Sequence, residues 1–129
     1  MTNAEFKESL EKRTLAFSVR LMNHLDAMPN RAVFWLIAHQ LGRSGASVGA
    51  NYREANRAES KADFVHKIGI VEKESSEAVY WLTLLSHLKA LPTALLEETA
   101  VLLKEANEFL SLFSTISRKA KVPNDPAKS

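Results

Sequence analysis

Apolar residues recur at alternating spacings of three and four along almost the whole chain, the period of a helix with one buried face. The first run carries Leu10, Phe17, Leu21, Leu25 and Met28, and the second Phe34, Ile37, Leu41, Val48, Tyr52 and Ala55. A third follows with Phe64, Ile68, Val71, Ala78, Leu82 and Leu85, and a fourth with Leu95, Leu102, Ala106, Phe109, Phe113 and Ile116. The punctuation falls between them. Pro29 interrupts the first pattern, with Asn30 placed to cap the second helix; Ser60 and Asp63 form a capping-box-like pair; Pro92 sits in the first turn of the fourth helix; Pro123 and Pro126 break up the tail. The pattern predicts helices at roughly residues 4–28, 31–57, 61–89 and 93–119 in one domain spanning roughly 1–120, and a disordered tail at roughly 121–129. Helices of about 25 residues joined by short connections pack as antiparallel neighbours, so the expected fold is all-α, an up-down-up-down four-helix bundle.

Helices 3 and 4 carry more apolar surface than a lone bundle needs. Val65, Ile70, Val79, Trp81, Leu84 and Leu88 lie outside the main stripe of the third, and Leu96, Val101, Leu103, Leu110 and Leu112 outside that of the fourth. Wide apolar arcs on a small domain point to burial against another copy, because monomers rarely leave such patches in water.

Composition adds mainly exclusions. With 129 residues there is room for one core, and the absence of Cys excludes a disulfide scaffold, a thiolate metal site and Cys nucleophilic catalysis. No apolar leader and no membrane-length apolar run is visible, so the expectation is a cytoplasmic protein with no membrane association.

A polar seam runs beside the apolar stripe of helix 2. Gln40, Ser44, Ser47, Asn51 and Glu54 follow spacings of four and three, and helix 3 offers a facing line of Lys67, Ile70, Glu74, Glu77 and Trp81. Antiparallel pairing would bring Glu54 to Lys67, Asn51 to Ile70 or Glu74, and Ser44 and Ser47 to Glu77 or Trp81. Gly42, Gly45 and Gly49, with Ser44, Ala46, Ser47 and Ala50, would permit close backbone approach there; three glycines inside one helix need such a packing reason. A network of this kind fixes register, unless the seam is a solvated groove.

The residues Gln40-Leu41, Arg43-Ser44, Ser47-Val48, Ala50-Asn51 and Glu54, then Asp63-Phe64, Lys73-Glu74, Ser76-Glu77 and Trp81-Leu82, resemble the family of 23S rRNA intervening-sequence proteins, itself related to the accessory variability proteins of diversity-generating retroelements. The resemblance extends roughly from Phe17 to Leu88. This chain has Ala55 where the family usually shows Gly, which bears on the turn that ends helix 2. The resemblance implies an antiparallel four-helix bundle assembled as a homopentameric ring, without catalytic activity. Its retroelement relatives use a basic barrel to bind a reverse transcriptase and nucleic acid.

Candidate chemistry is thin. His24, His39, His66 and His87 are scattered, Asp63 and His66 echo half of a di-iron motif, and the spacing of Glu74 and Glu77 is ordinary for a charged helix. The glycines lack the Lys-Ser/Thr ending of a phosphate loop. No enzyme activity, metal or cofactor is expected. The net charge of +2 hides an uneven distribution: residues 12–53 carry six Lys and Arg against Asp26 alone, whereas residues 72–108 carry seven Glu against three Lys. Lys12, Arg13, Arg20, Arg43 and Arg53, together with Arg118, Lys119 and Lys121, form a candidate nucleic-acid surface that ring symmetry would repeat into a belt able to hold RNA or DNA phosphates by charge. The competing readings are patches that pair between subunits, or a scaffold for another protein such as a reverse transcriptase.

Overall fold

The computed structural model describes residues 1–123. It contains α1 (Asn3–Asp26), α2 (Ala32–Ala55), α3 (Lys61–His87), a 3-10 turn at Thr93–Leu95, and α4 (Leu96–Ala120). The protein is an all-α four-helix bundle, and the described residues include no strand. The helices end within a few residues of the predicted positions, apart from the start of α4. There Pro92 opens the 3-10 turn, and the α-helix begins only at Leu96. Of the expected disordered tail, residues 124–129 lie outside the described residues.

Local chemistry explains most boundaries. Thr2 caps α1, its hydroxyl accepting from Glu5 N at 3.0 Å, and Ser60 caps α3 by accepting from Asp63 N at 3.0 Å. Asn30 does not cap α2. Its Oδ1 instead accepts from the Trp35 indole at 2.8 Å, and Arg31 occupies the cap position without a side-chain bond. At the end of α2, Ala55 is buried and Asn56 takes ordinary right-handed geometry, so this turn forms without a left-handed residue.

The core follows the apolar stripes. Phe34, Phe109, Phe113, Leu21, Leu41, Ile68, Leu82 and Leu85 are all fully buried, each worth about 1.5–3 kcal/mol of burial. Aromatic contacts tie distant helices together: Phe17 meets Phe109 edge-on at 5.3 Å, and Tyr52 meets Phe113 at 5.2 Å.

The glycines of α2 do provide close approach, but toward α1 rather than α3. A methyl group at Gly42 would touch Leu25 and Met22, one at Gly45 would overlap Leu21, and one at Gly49 would press on Thr14. The contacts therefore advance along α2 as they retreat along α1.

The apolar surplus is also redistributed. Val79, Trp81, Leu84, Leu88, Leu103 and Leu112 pack against the core, and of the residues expected outside it Leu96 and Val101 are exposed. The larger apolar stripe in water lies on α1, where Leu15, Val19 and Met22 are 57%, 54% and 43% exposed at helical spacing. No helix among the described residues is long and apolar enough to cross a membrane.

Candidate functional site

Three of the eight cations expected to form a nucleic-acid surface, Arg13, Arg20 and Arg43, donate hydrogen bonds to carboxylates of the same chain. Arg13 on α1 donates from Nε and Nη2 to both oxygens of Glu105 on α4 at 3.0 and 2.9 Å, and also reaches Glu108. Its guanidinium lies 4.7 Å from the centre of the Phe109 ring. Arg20 grips Glu98 the same way, at 2.6 and 2.7 Å. Arg43 on α2 contacts both oxygens of Glu77 at 2.7 Å and reaches Glu74 on α3 at 3.3 Å. Hydrogen bonds from Arg43 and Arg20 hold the Glu77 and Glu98 carboxyls below their ordinary range, and the same contacts raise the arginines. Such exposed forks orient the helices more than they stabilise them. Arginines of the basic stretch 12–53 thus meet glutamates of the acidic stretch 72–108 within one chain, and Arg13, Arg20 and Arg43 are each already paired with a carboxylate.

The expected cross-helix seam is likewise not the network formed. Ser44 donates to Leu41 O, Ser47 to Arg43 O and Asn51 to Ser47 O, all on their own helix. Lys67 pairs with Asp63 one turn away at 3.5 Å, not with Glu54, which is exposed, and Gln40 is half-buried. What joins α2 to α3 through polar groups is Arg43 with Glu74 and Glu77. Glu74 is itself 8% exposed. Short hydroxyl and amide groups reach their own backbone more easily than a neighbouring helix, whereas an arginine spans the gap.

The remaining cations gather where α1 begins and where α2 and α4 end. A cleft of about 560 Å³ between α1 and α2 is lined by Lys7, Glu8, Glu11, Lys12, Arg53, Asn56 and Arg57, with Ala4 and Leu15. Glu11 organises it: Oε1 lies 3.4 Å from Arg53 Nε and 3.5 Å from Arg57 Nη1, and Oε2 accepts from Asn56 Nδ2 at 3.1 Å. Lys12 pairs with Glu8 at 3.1 Å. Arg118, Lys119 and Lys121 are exposed at the end of α4, with no ion pair to a carboxylate among the described residues. Lys61, at the start of α3, donates to Val122 O at 2.8 Å just beyond α4. The structure therefore unites Lys12 and Arg53 with two residues that sequence reasoning missed, Lys7 and Arg57. The available signal was the pair Arg53 and Arg57, four apart across the C-terminal end of α2 and facing the first turns of α1.

Among the described residues, no three His, Asp or Glu side chains are grouped to hold a metal ion. His24 is buried against Thr99, with no second histidine in its hydrogen bonding.

The model of the 23S rRNA-intervening sequence protein family matches residues 9–112. The chain belongs to this family. The matched segment takes in all of α2 and α3, most of α1 and α4, and the Arg43–Glu74–Glu77 contact between α2 and α3. The fold is similar to that in the crystal structure of a protein of unknown function from the S23 ribosomal protein family of Bacteroides thetaiotaomicron VPI-5482, with 32% identity and a TM-score of 0.75 over 87% of this chain and 97% of that one. A search of curated proteins finds no match. Neither the family nor the similar structure carries a described activity, so the cleft and the basic end of this family member stand on their own chemistry.

Proposed function

We propose that this protein is a non-catalytic, self-associating helical module, an up-down-up-down bundle that serves as one subunit of a closed assembly. The observation that carries this reading is the exposed ridge of Leu15, Val19 and Met22 on α1 beside a shallow groove of about 300 Å³ whose walls include Leu15, Ala46, Gly49 and Ala50. A ridge and a small-residue groove on one face suit packing of a second copy, where isolated apolar side chains in water would not. The opposed order of the α1 and α2 contacts supports the up-down arrangement. The homopentameric ring implied by the sequence resemblance is one closed assembly of this kind. Light scattering should give a mass several times the 14.4 kDa of one chain. Val19→Asp combined with Met22→Asp should reduce it to a single subunit with helical content retained by circular dichroism. A wild-type mass of one chain would sink the reading.

A second reading, RNA held by charge, is favoured by the exposed cations Arg118, Lys119 and Lys121 at the end of α4 and by Lys7, Lys12, Arg53 and Arg57 around the cleft where α1 begins and α2 ends. Structured RNA should be retained at low ionic strength and released steeply as salt rises. No retention at low salt would leave a protein scaffold with no direct nucleic-acid contact.

A further inference from the structure

We infer that the cleft where α1 begins and α2 ends is a binding site for a terminal phosphate group, a phosphomonoester dianion. It is narrower than the RNA reading and separable from it.

The charge count is the first reason. Four cations, Lys7, Lys12, Arg53 and Arg57, face two carboxylates, Glu8 and Glu11, around one cleft. Lys12 and Glu8 offset each other. Two guanidiniums are then left to share the single carboxylate of Glu11, with Lys7 beside them. The surplus of two positive charges matches a phosphomonoester, which carries close to two negative charges at neutral pH. A carboxylate or a backbone phosphodiester would neutralise only one.

Donor geometry is the second. At 3.4 and 3.5 Å from Glu11, both guanidiniums stand beyond good hydrogen-bond length, so Glu11 positions them without saturating them. Arg57 gives one N–H to Arg53 O at 2.9 Å, and the Arg53 side chain donates to no acceptor within hydrogen-bonding range among the described residues. The two guanidiniums, both within 3.5 Å of one carboxylate, repel each other, and an anion bridging their forks removes that cost. The Asn56 amide is the fixed point: its Nδ2 donates to Glu11 Oε2 at 3.1 Å and holds that carboxylate in place.

The phosphate could come from the end of a nucleic-acid strand or from a small phosphorylated metabolite. Three probes separate the sources: a short RNA with a 5′-phosphate, the same RNA with a 5′-hydroxyl, and ribose 5-phosphate, each titrated against the full chain at physiological salt. The 5′-phosphorylated RNA should bind about tenfold or more tightly than the hydroxyl form. That advantage should vanish in Arg53→Gln with Arg57→Gln and survive in Arg118→Gln with Lys119→Gln, each variant first checked for unchanged helicity. Ribose 5-phosphate binding that needs both arginines, with the two RNAs binding alike, supports the site and assigns it to a small ligand. Equal binding of the two RNAs with no binding of ribose 5-phosphate overturns the inference, yet leaves RNA retention by charge intact.

Discussion

At position 45 a single hydrogen in place of a methyl group sets how near α1 can lie to α2. An alanine there would overlap Leu21, which is fully buried and has little room to turn aside, and at Gly49 it would press on the Cβ and Oγ1 of Thr14 at 3.1 Å. Gly69 is the contrast: it sits in α3 with nothing within 4 Å of where a methyl group would stand, so it has the helix cost of glycine with no packing return. Gly69→Ala should therefore raise unfolding free energy by about 1 kcal/mol, the propensity difference. Gly45→Ala should lower it by about 1–3 kcal/mol, as overpacked cores do. Denaturant unfolding of the two variants checks both signs, and stabilisation in both would remove the packing account. That these glycines serve packing was legible in the sequence. Which helix they approach was not, because spacing places a residue on a face but does not say which neighbour covers it.

Between elements, the seam joining α1 to α4 holds a buried histidine. His24 Nε2 lies 2.7 Å from Thr99 Oγ1, and the Thr99 hydroxyl donates to Leu95 O at 2.8 Å. The threonine oxygen must then accept, so the neutral ring carries its proton on Nε2. Burial lowers the His24 pKa, and the nearby Glu98, itself gripped by Arg20, opposes that shift. Because the folded pKa lies below the ordinary 6.5, the unfolded chain takes up the proton first. Stability should thus be full above pH 6.5 and decline as pH falls from there through the lowered value. Glu77 and Glu98, with folded values depressed below 4.5, lose their contributions only in more acidic solution. Urea unfolding at pH 7.5 and 5.5 should show a larger loss for the wild type than for His24→Gln, and an equal loss in both would clear His24 of the effect. The four helices and the Ser60 cap could be read from apolar period and capping chemistry. The Asn30 cap could not, because Trp35 five residues on competes for the same oxygen.

Across the whole molecule, the sequence exposed a real charge asymmetry between residues 12–53 and residues 72–108. Its destination depended on pairings invisible in one dimension. Arg13 with Glu105 and Arg20 with Glu98 use the asymmetry to align α1 with α4, and Arg43 with Glu77 aligns α2 with α3. The cations of the candidate site, Lys7, Lys12, Arg53 and Arg57, take no part in these three pairings. Lys12 and Arg53 were visible candidates for charge reasons. Lys7 and Arg57 became so once α1 and α2 were seen to meet at Glu11 and Asn56. The exposed apolar surface shifted in the same way, from the leucines of α3 and α4, several of which the core absorbs, to the ridge on α1.

The contacts of α1 with α4 also bear on the order of folding. Helices α2, α3 and α4 each meet their chain neighbour most extensively and close only short loops to do so, whereas Arg13 and Arg20 must find partners 92 and 78 residues away. On entropic grounds the sequence-local pairings should come first and the α1–α4 seam late. In reverse, the edge of the bundle that holds His24 and borders the apolar ridge should open short of global unfolding.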